Sequence, residues 1–210
     1  MQTASKEWMT LFHHGSPRTY LPGRPLMRQG ESATHVLAVV SGQVKVLQTQ
    51  EDGSELLLAV RGRGELLGEY SVLGGSTRSA TVTALTRVEA KMLTADRFVV
   101  LLQRHGLSWD LLRHAYGRVR EGEAWRAEMA TLPAGRLLAR ALLRLSQATP
   151  GEVPLDQTDL GSATGLARST VAAELGTLRD LGVVVTLRRR VRILDGDALA
   201  ALAGLSQPNV

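Results

Sequence analysis

The sequence predicts an α+β chain in two parts: a β-rich part ending in a long helix, residues 1–130, and a smaller helical part, residues 131–210. Three observations predict it. Between Tyr20 and Thr94, short apolar runs alternate with turn residues at near-regular spacing, the pattern of an all-β roll or barrel. From about 108 to 130 a helical stretch carries an apolar seam. After Asp156 come a helix, a glycine turn, a second helix and a basic β-hairpin.

Composition sets the bounds. The 210 residues are 44% apolar, enough to bury a real core in one large or two small domains. The absence of cysteine excludes a disulfide scaffold, a thiolate metal site and a cysteine nucleophile. The amino-terminal MQTASKEWMT has no apolar segment behind a basic one, and no window is apolar over a bilayer-spanning length, so a soluble, cytoplasmic protein is expected. The net charge of +5 is concentrated late: from Gly161 to Arg192 six arginines stand against two acids, which suggests an anionic partner.

In the first part, HVLAVVSG, QVKVLQTQ, ELLLAVRG, SATVTAL and RVEAKMLT read as strands. EDGS joins the second to the third, with Asp52-Gly53 supplying the positive φ of a tight turn. In QVKVLQTQ, Val44, Val46 and Gln48 share one face and Lys45 and Leu47 the other, so the pattern defines a strand without fixing its register. ADRFVVLLQRHG then reads as a short helix with Phe98, Leu101 and Leu102 on one side.

In the long helix, Leu112, Ala115, Val119, Gly122, Arg126 and Met129 recur at alternating spacings of three and four, the seam of a two-stranded coiled coil. Gly122, and Gly117 beside the seam, each cost the helix about 1 kcal/mol relative to alanine. Such a stripe fits a second subunit or the chain's own β-roll. Thr131-Leu132-Pro133 ends it, with Pro133 suited to the first turn of the next helix, GRLLARALLRLSQ.

In the second part, Asp156 can cap the first helix of DQTDLGSATGLARSTVAAELGTLRDLG, Gly165 permits the turn, and Val171, Leu175 and Leu178 form the apolar stripe of the second helix. VVVTLRRRVRIL follows as a hairpin with Arg188, Arg189 and Arg190 at its tip. A helix so placed presents Arg168, Ser169 and Thr170, with Ala173 a turn later, to a DNA major groove. An arginine fork there suits guanine O6 and N7, while the tip arginines would neutralise phosphates. The other reading is an ordinary helical hairpin beside a solvated basic edge.

Residues 68–82, GEYSVLGGSTRSATV, place Glu69 and Arg78 on either side of a glycine turn. Backbone amides near glycine and an arginine fork suit a phosphate; a carboxylate suits a sugar hydroxyl. The pair therefore fits a ligand carrying both groups, or an internal Glu69–Arg78 ion pair that ties down the turn. There is no Gly-x-Ser-x-Gly elbow, no Walker lysine and no carboxylate pair beside a base, so no enzyme is expected. His13, His14, His35, His105 and His114 have no metal-binding spacing, and no metal site is expected.

GEYSVLGGSTRSATV resembles the phosphate-binding cassette of cyclic-nucleotide-binding domains. With the glycine-punctuated β-roll, the seam helix and the winged helix-turn-helix, the chain resembles the CRP/FNR family of bacterial transcription factors over almost its whole length. The resemblance implies a homodimer joined by the long helix, binding double-stranded DNA with two-fold related half-sites, with RNA polymerase a further candidate partner. It implies Gly68 and Glu69 at a ribose hydroxyl, Arg78 and Ser79 at a cyclic phosphate, and Ser71 as an extra contact. No resident cofactor is required, and a cyclic nucleotide, cyclic AMP first among them, is the implied effector. Where the cyclic-AMP receptor carries a Thr-Ser pair that reaches adenine, this sequence has Glu121 and Gly122, so either Trp125 and Arg126 serve the base, another nucleotide binds, or the cassette is unused. Haem sensing occurs in the family, which draws His105 and His114 into consideration. In the recognition helix, Ser169 stands where relatives often carry an acid and Ala173 where they carry a later arginine, so the operator would match the family's only in part.

Overall fold

A computed structural model of the chain describes residues 10–205, which divide into two compact units between Gly122 and Glu123. The division falls inside the long helix rather than at its carboxy-terminal end.

The first unit is a roll of two antiparallel sheets. Its strands are β1 (Ser16–Tyr20), β2 (Pro25–Met27), β3 (His35–Ser41), β4 (Val44–Thr49), β5 (Glu55–Arg61), β6 (Leu66–Leu67), β7 (Thr81–Ala84) and β8 (Val88–Thr94). One sheet runs β1-β8-β3-β6 and the other β2-β7-β4-β5. The apolar run in β3 is continuous because both its faces are buried. Leu37 and Val39 point between the sheets towards Val44, Val82 and Val88, while Val36 and Ala38 point outward into a second cluster with Leu11, Phe12, Phe98 and Leu111.

The ambiguous register of β4 is resolved by a bulge. Val46 pairs with Ala59 and Leu47 with Leu57, so the extra residue Leu58 is turned outward and both Val44 and Leu47 are buried. Gly53 takes φ +82 at the hairpin tip, as the turn requires.

Helices α1 (Glu69–Leu73) and α2 (Ala95–Arg104), with the first part of α3 (Ser108–Thr131), complete this unit. Helix α1 is not apparent from local pattern, because its residues look like part of the glycine turn. Nor are the short edge strands β1, β2 and β6. Phe98 and Leu102 bury one face of α2. Helix α3 is unbroken through Gly117 and Gly122. Leu111 packs into the roll, whereas Trp109, Leu112, Tyr116 and Val119 are all more than half exposed. Their spacing of three, four and three makes one apolar stripe that does not pack on the chain's own roll.

In the second unit, α4 (Ala134–Leu145) buries Leu138, Ala139 and Leu142 against α5 (Gln157–Thr164), α6 (Arg168–Asp180) and α7 (Gly196–Leu202). A small sheet, β10-β11-β9, is built from β9 (Glu152–Val153), β10 (Val184–Leu187) and β11 (Arg190–Ile193). The end of α3 belongs here: Arg144 lies over the buried Trp125 ring at 4.6 Å, and Glu128 bonds Arg140 at 3.1 Å and also Arg144. No helix among the described residues is long and apolar enough to cross a membrane.

Candidate effector and DNA-recognition sites

Strand β6 delivers the chain to Gly68, which takes φ +86 as it turns into α1. A Cβ at that point would lie 2.5 Å from Arg78 Nη1 and 2.9 Å from Met27 Sδ, so both backbone conformation and space require glycine there. Glu69, the first residue of α1, is 1% exposed.

The carboxylate of Glu69 is held by helix α3. Arg118 Nη1 donates to Oε1 at 2.9 Å, and His114 Nε2 stands 3.7 Å from the same oxygen. Oε2 is buried without a hydrogen-bond partner. Burial opposes ionisation of Glu69, but the Arg118 charge, with the nearby His114 ring assisting, outweighs it and holds the carboxyl below its ordinary range.

Arg118 is a shared clamp. Its Nη2 donates to Glu65 Oε2 at 2.9 Å and to the Leu66 carbonyl at 2.7 Å, and its guanidinium lies over the Tyr70 ring at 5.7 Å. Although its own burial works the other way, Glu69 and Glu65 keep it more firmly protonated than usual.

Arg78 is 3% exposed and donates to the Gly68 carbonyl at 2.9 Å and to the His35 carbonyl. The internal Glu69–Arg78 ion pair is therefore not what ties the turn: Glu69 pairs with Arg118 and Arg78 with carbonyls. Ser71 is buried in α1, and Ser79 is exposed beside Arg78.

Of the base-side candidates, Glu121 lies at the roll and Arg61 of β5 meets it fork to fork, Nη1 to Oε1 at 3.2 Å and Nη2 to Oε2 at 2.8 Å. Gly122 is half-buried, with nothing within 4 Å of where a Cβ would stand. Trp125 is packed within the second unit under Arg144, so this ring face is already covered. Arg126 is exposed, and so is His105. Sequence reasoning missed Arg118 and Arg61, which stand 49 and 60 residues from their carboxylate partners Glu69 and Glu121.

In the second unit, Asp156 Oδ1 accepts from Thr158 N and Asp159 N and caps α5, while Ala167 leaves α6 without a side-chain cap. Arg168 opens α6 and is exposed, as are Ser169 and Ala173; Thr170 is half-buried. Val171, Leu175 and Leu178 are buried as the stripe predicts, which turns the other face outward.

The register Leu187↔Arg190 closes the wing in a two-residue turn, Arg188-Arg189. Arg189 takes φ +60, a left-handed conformation that costs an ordinary side chain about 1–2 kcal/mol. All three tip arginines are exposed, although Arg190 also bonds Glu152 at 3.2 Å across the sheet. Between wing and helices lies a cleft of about 440 Å³, with Asp156, Thr158, Arg168, Thr186, Arg189 and Arg190 in its wall. Among the described residues no group of three or more His, Cys, Asp or Glu is placed to hold a metal ion.

These features agree with the comparisons to known proteins. The cyclic nucleotide-binding domain family matches residues 17–105 and the Crp-like helix-turn-helix domain family matches residues 137–202. The chain is 33% identical over 175 residues to a cyclic AMP receptor protein of Thermus thermophilus, covering 80% of this chain and 78% of the relative. It is 26% identical over 196 residues to a CRP-like cAMP-activated global transcriptional regulator of Mycobacterium tuberculosis, covering 89% of this chain and 88% of that one. Among solved structures, a CRP-family transcriptional regulator of Thermus thermophilus superposes with a TM-score of 0.74 at 25% identity, covering 89% of this chain and 96% of its own. A winged helix-turn-helix behind a cyclic-nucleotide-type β-roll, with relatives alike over most of both chains, makes this protein a member of the CRP/FNR family of transcription regulators.

Proposed function

We propose that the chain acts as a homodimeric, sequence-specific DNA-binding regulator whose β-roll takes a cyclic nucleotide. The observation that carries the effector reading is Glu69: a carboxylate 1% exposed, with one oxygen held by Arg118 and the other lacking any partner. A buried acceptor left unsatisfied costs about 1–3 kcal/mol, and a ribose hydroxyl donating to Oε2 would recover it. Arg78 and Ser79 would receive the phosphate, Arg78 by turning its fork away from the Gly68 and His35 carbonyls. Relatives named for cyclic AMP support this ligand class.

The stripe of Trp109, Leu112, Tyr116 and Val119 supports pairing with a second copy. Because Arg118 belongs to the same helix as the stripe, a ligand at Glu69 acts on the element that pairs the chains. DNA affinity then changes by the ligand's differential affinity for the two arrangements. At the DNA, Arg168, Ser169 and Thr170 meet base edges, and Arg188 and Arg189 meet phosphates.

A second reading, an effector-independent regulator, has one observation in its favour: Arg78 and the Oε1 of Glu69 already have protein partners without a ligand. Isothermal titration calorimetry with cyclic AMP and cyclic GMP separates the two readings. Binding that is lost in Arg78→Leu supports the cassette as sensor. Silence from both nucleotides, with DNA binding intact, establishes the second reading.

A further inference from the structure

Arg61 and Glu121 make an ion pair that the clamp around Glu69 does not need. Their side chains are 17% and 31% exposed, and their two contacts are parallel, at 3.2 and 2.8 Å. The pair is nevertheless joined to the ribose-side carboxylate: Arg61 Nε lies 3.8 Å from Glu65 Oε2, and Glu65 shares Arg118 with Glu69. Along α3, Glu121 comes three residues after Arg118, an axial step of about 4.5 Å. The contact chain Glu69–Arg118–Glu65–Arg61 leads from the carboxylate to this pair, so a purine on a sugar at Glu69 that extends along α3 would meet it. Beside it, Gly122 leaves open space where any other residue would place a side chain.

The two forks are chemically selective. Guanine presents O6 and N7 as adjacent acceptors, the pattern an arginine fork matches. On the neighbouring edge it presents N1–H and the N2 amino group, two donors for a carboxylate fork. Adenine offers the arginine N7 beside an N6 amino donor, which repels a second N–H, and offers the carboxylate that single amino group.

We propose that Arg61 and Glu121 read the base of the bound cyclic nucleotide and make the site selective for guanine over adenine. Guanine entering edge-on opens the pair and receives one fork on each of two adjacent edges, exchanging one bidentate contact for two. This inference rests on the cassette being a cyclic-nucleotide site.

The test is calorimetric titration of the full-length protein with cyclic GMP, cyclic AMP and cyclic IMP, repeated on Glu121→Gln and Arg61→Leu. In the wild type, cyclic GMP is expected to bind on the order of tenfold or more tighter than cyclic AMP. Cyclic IMP, which lacks the N2 amino group, falls between them. Glu121→Gln, which preserves shape and removes charge, is expected to bring cyclic GMP and cyclic IMP together while cyclic AMP binding persists. Arg61→Leu is expected to bring cyclic GMP down to the level of cyclic AMP. Cyclic AMP binding as tightly as cyclic GMP, or a guanine preference that survives both variants, overturns the inference and leaves the cassette reading standing. No binding of any of the three nucleotides overturns both.

Discussion

Replacing Arg118 by methionine keeps most of the aliphatic stem and removes the charge that holds Glu69. Glu65 is 35% exposed and can be hydrated, but Glu69 is 1% exposed and cannot. The stranded carboxylate has one escape, which is to bind a proton. For a group with an ordinary pKa of 4.5, protonation at pH 7 costs about 3.4 kcal/mol, at about 1.36 kcal/mol per pH unit. Burial without Arg118 favours the neutral form, so Glu69 bears most of that cost, and a pH-dependent loss of about 2–3 kcal/mol is expected at pH 7 in addition to Arg118's own lost contacts.

The sign with pH follows from the direction of the shift. In the wild type the folded-state pKa of Glu69 is depressed, so its stabilisation is present above the unfolded pKa of 4.5 and is lost as pH falls through the folded value. In Arg118→Met the part of the penalty that comes from protonating Glu69 shrinks as pH falls, to less than about 1 kcal/mol at pH 5, and leaves the pH-independent loss of Arg118's bonds to Glu65 and the Leu66 carbonyl. Hydrogen exchange of the β3 and β8 amides at pH 7 and pH 5 reads the stability of the first unit directly. Adding Glu69→Gln to Arg118→Met should remove the pH dependence. A penalty equal at both pH values, or unaffected by Glu69→Gln, would refute Glu69 as the stranded charge.

Arg189→Gly should raise the melting temperature of the second unit by relieving about 1 kcal/mol of left-handed strain, while reducing DNA affinity and the salt slope by about one counterion. A variant that lost stability would show that the wing tip is held by contacts rather than strained. Gly122→Ala meets nothing within 4 Å and should add about 1 kcal/mol to the helix, raising ligand-free DNA affinity in fluorescence anisotropy; unchanged or weaker affinity would count against ligand-coupled ordering of α3. Gly68→Ala, at φ +86 with Arg78 Nη1 2.5 Å from the new methyl, should cost well over 1 kcal/mol in thermal unfolding and abolish nucleotide binding measured by calorimetry.

What was legible in the sequence is what neighbouring residues decide. Five strands, the turn at Gly53, the cap at Asp156 and the stripe Val171, Leu175, Leu178 all rest on local pattern, and all are present. The stretch that resembles the cassette stood out in the same way, because Gly68, Glu69 and Arg78 fall within eleven consecutive residues. The clamp was not: Arg118 and Arg61 acquire their meaning from partners 49 and 60 residues away. The bulge at Leu58 depends on a partner strand and could not be read from β4 alone. On α3 the seam came out only partly right, because the choice between Ala115 and Tyr116 turns on which face the roll covers. With Leu111 buried and Tyr116 exposed, the outward stripe runs through Trp109, Leu112, Tyr116 and Val119.

That stripe has a genetic consequence. Under the proposed pairing, a chain damaged in Arg168 or the wing keeps its stripe intact and still pairs with undamaged chains. If both alleles are expressed equally and the chains mix freely, only about a quarter of the dimers carry two working recognition helices. DNA-binding defects should therefore be dominant in a merodiploid, whereas damage to the stripe itself leaves the normal copies to find each other and should be recessive.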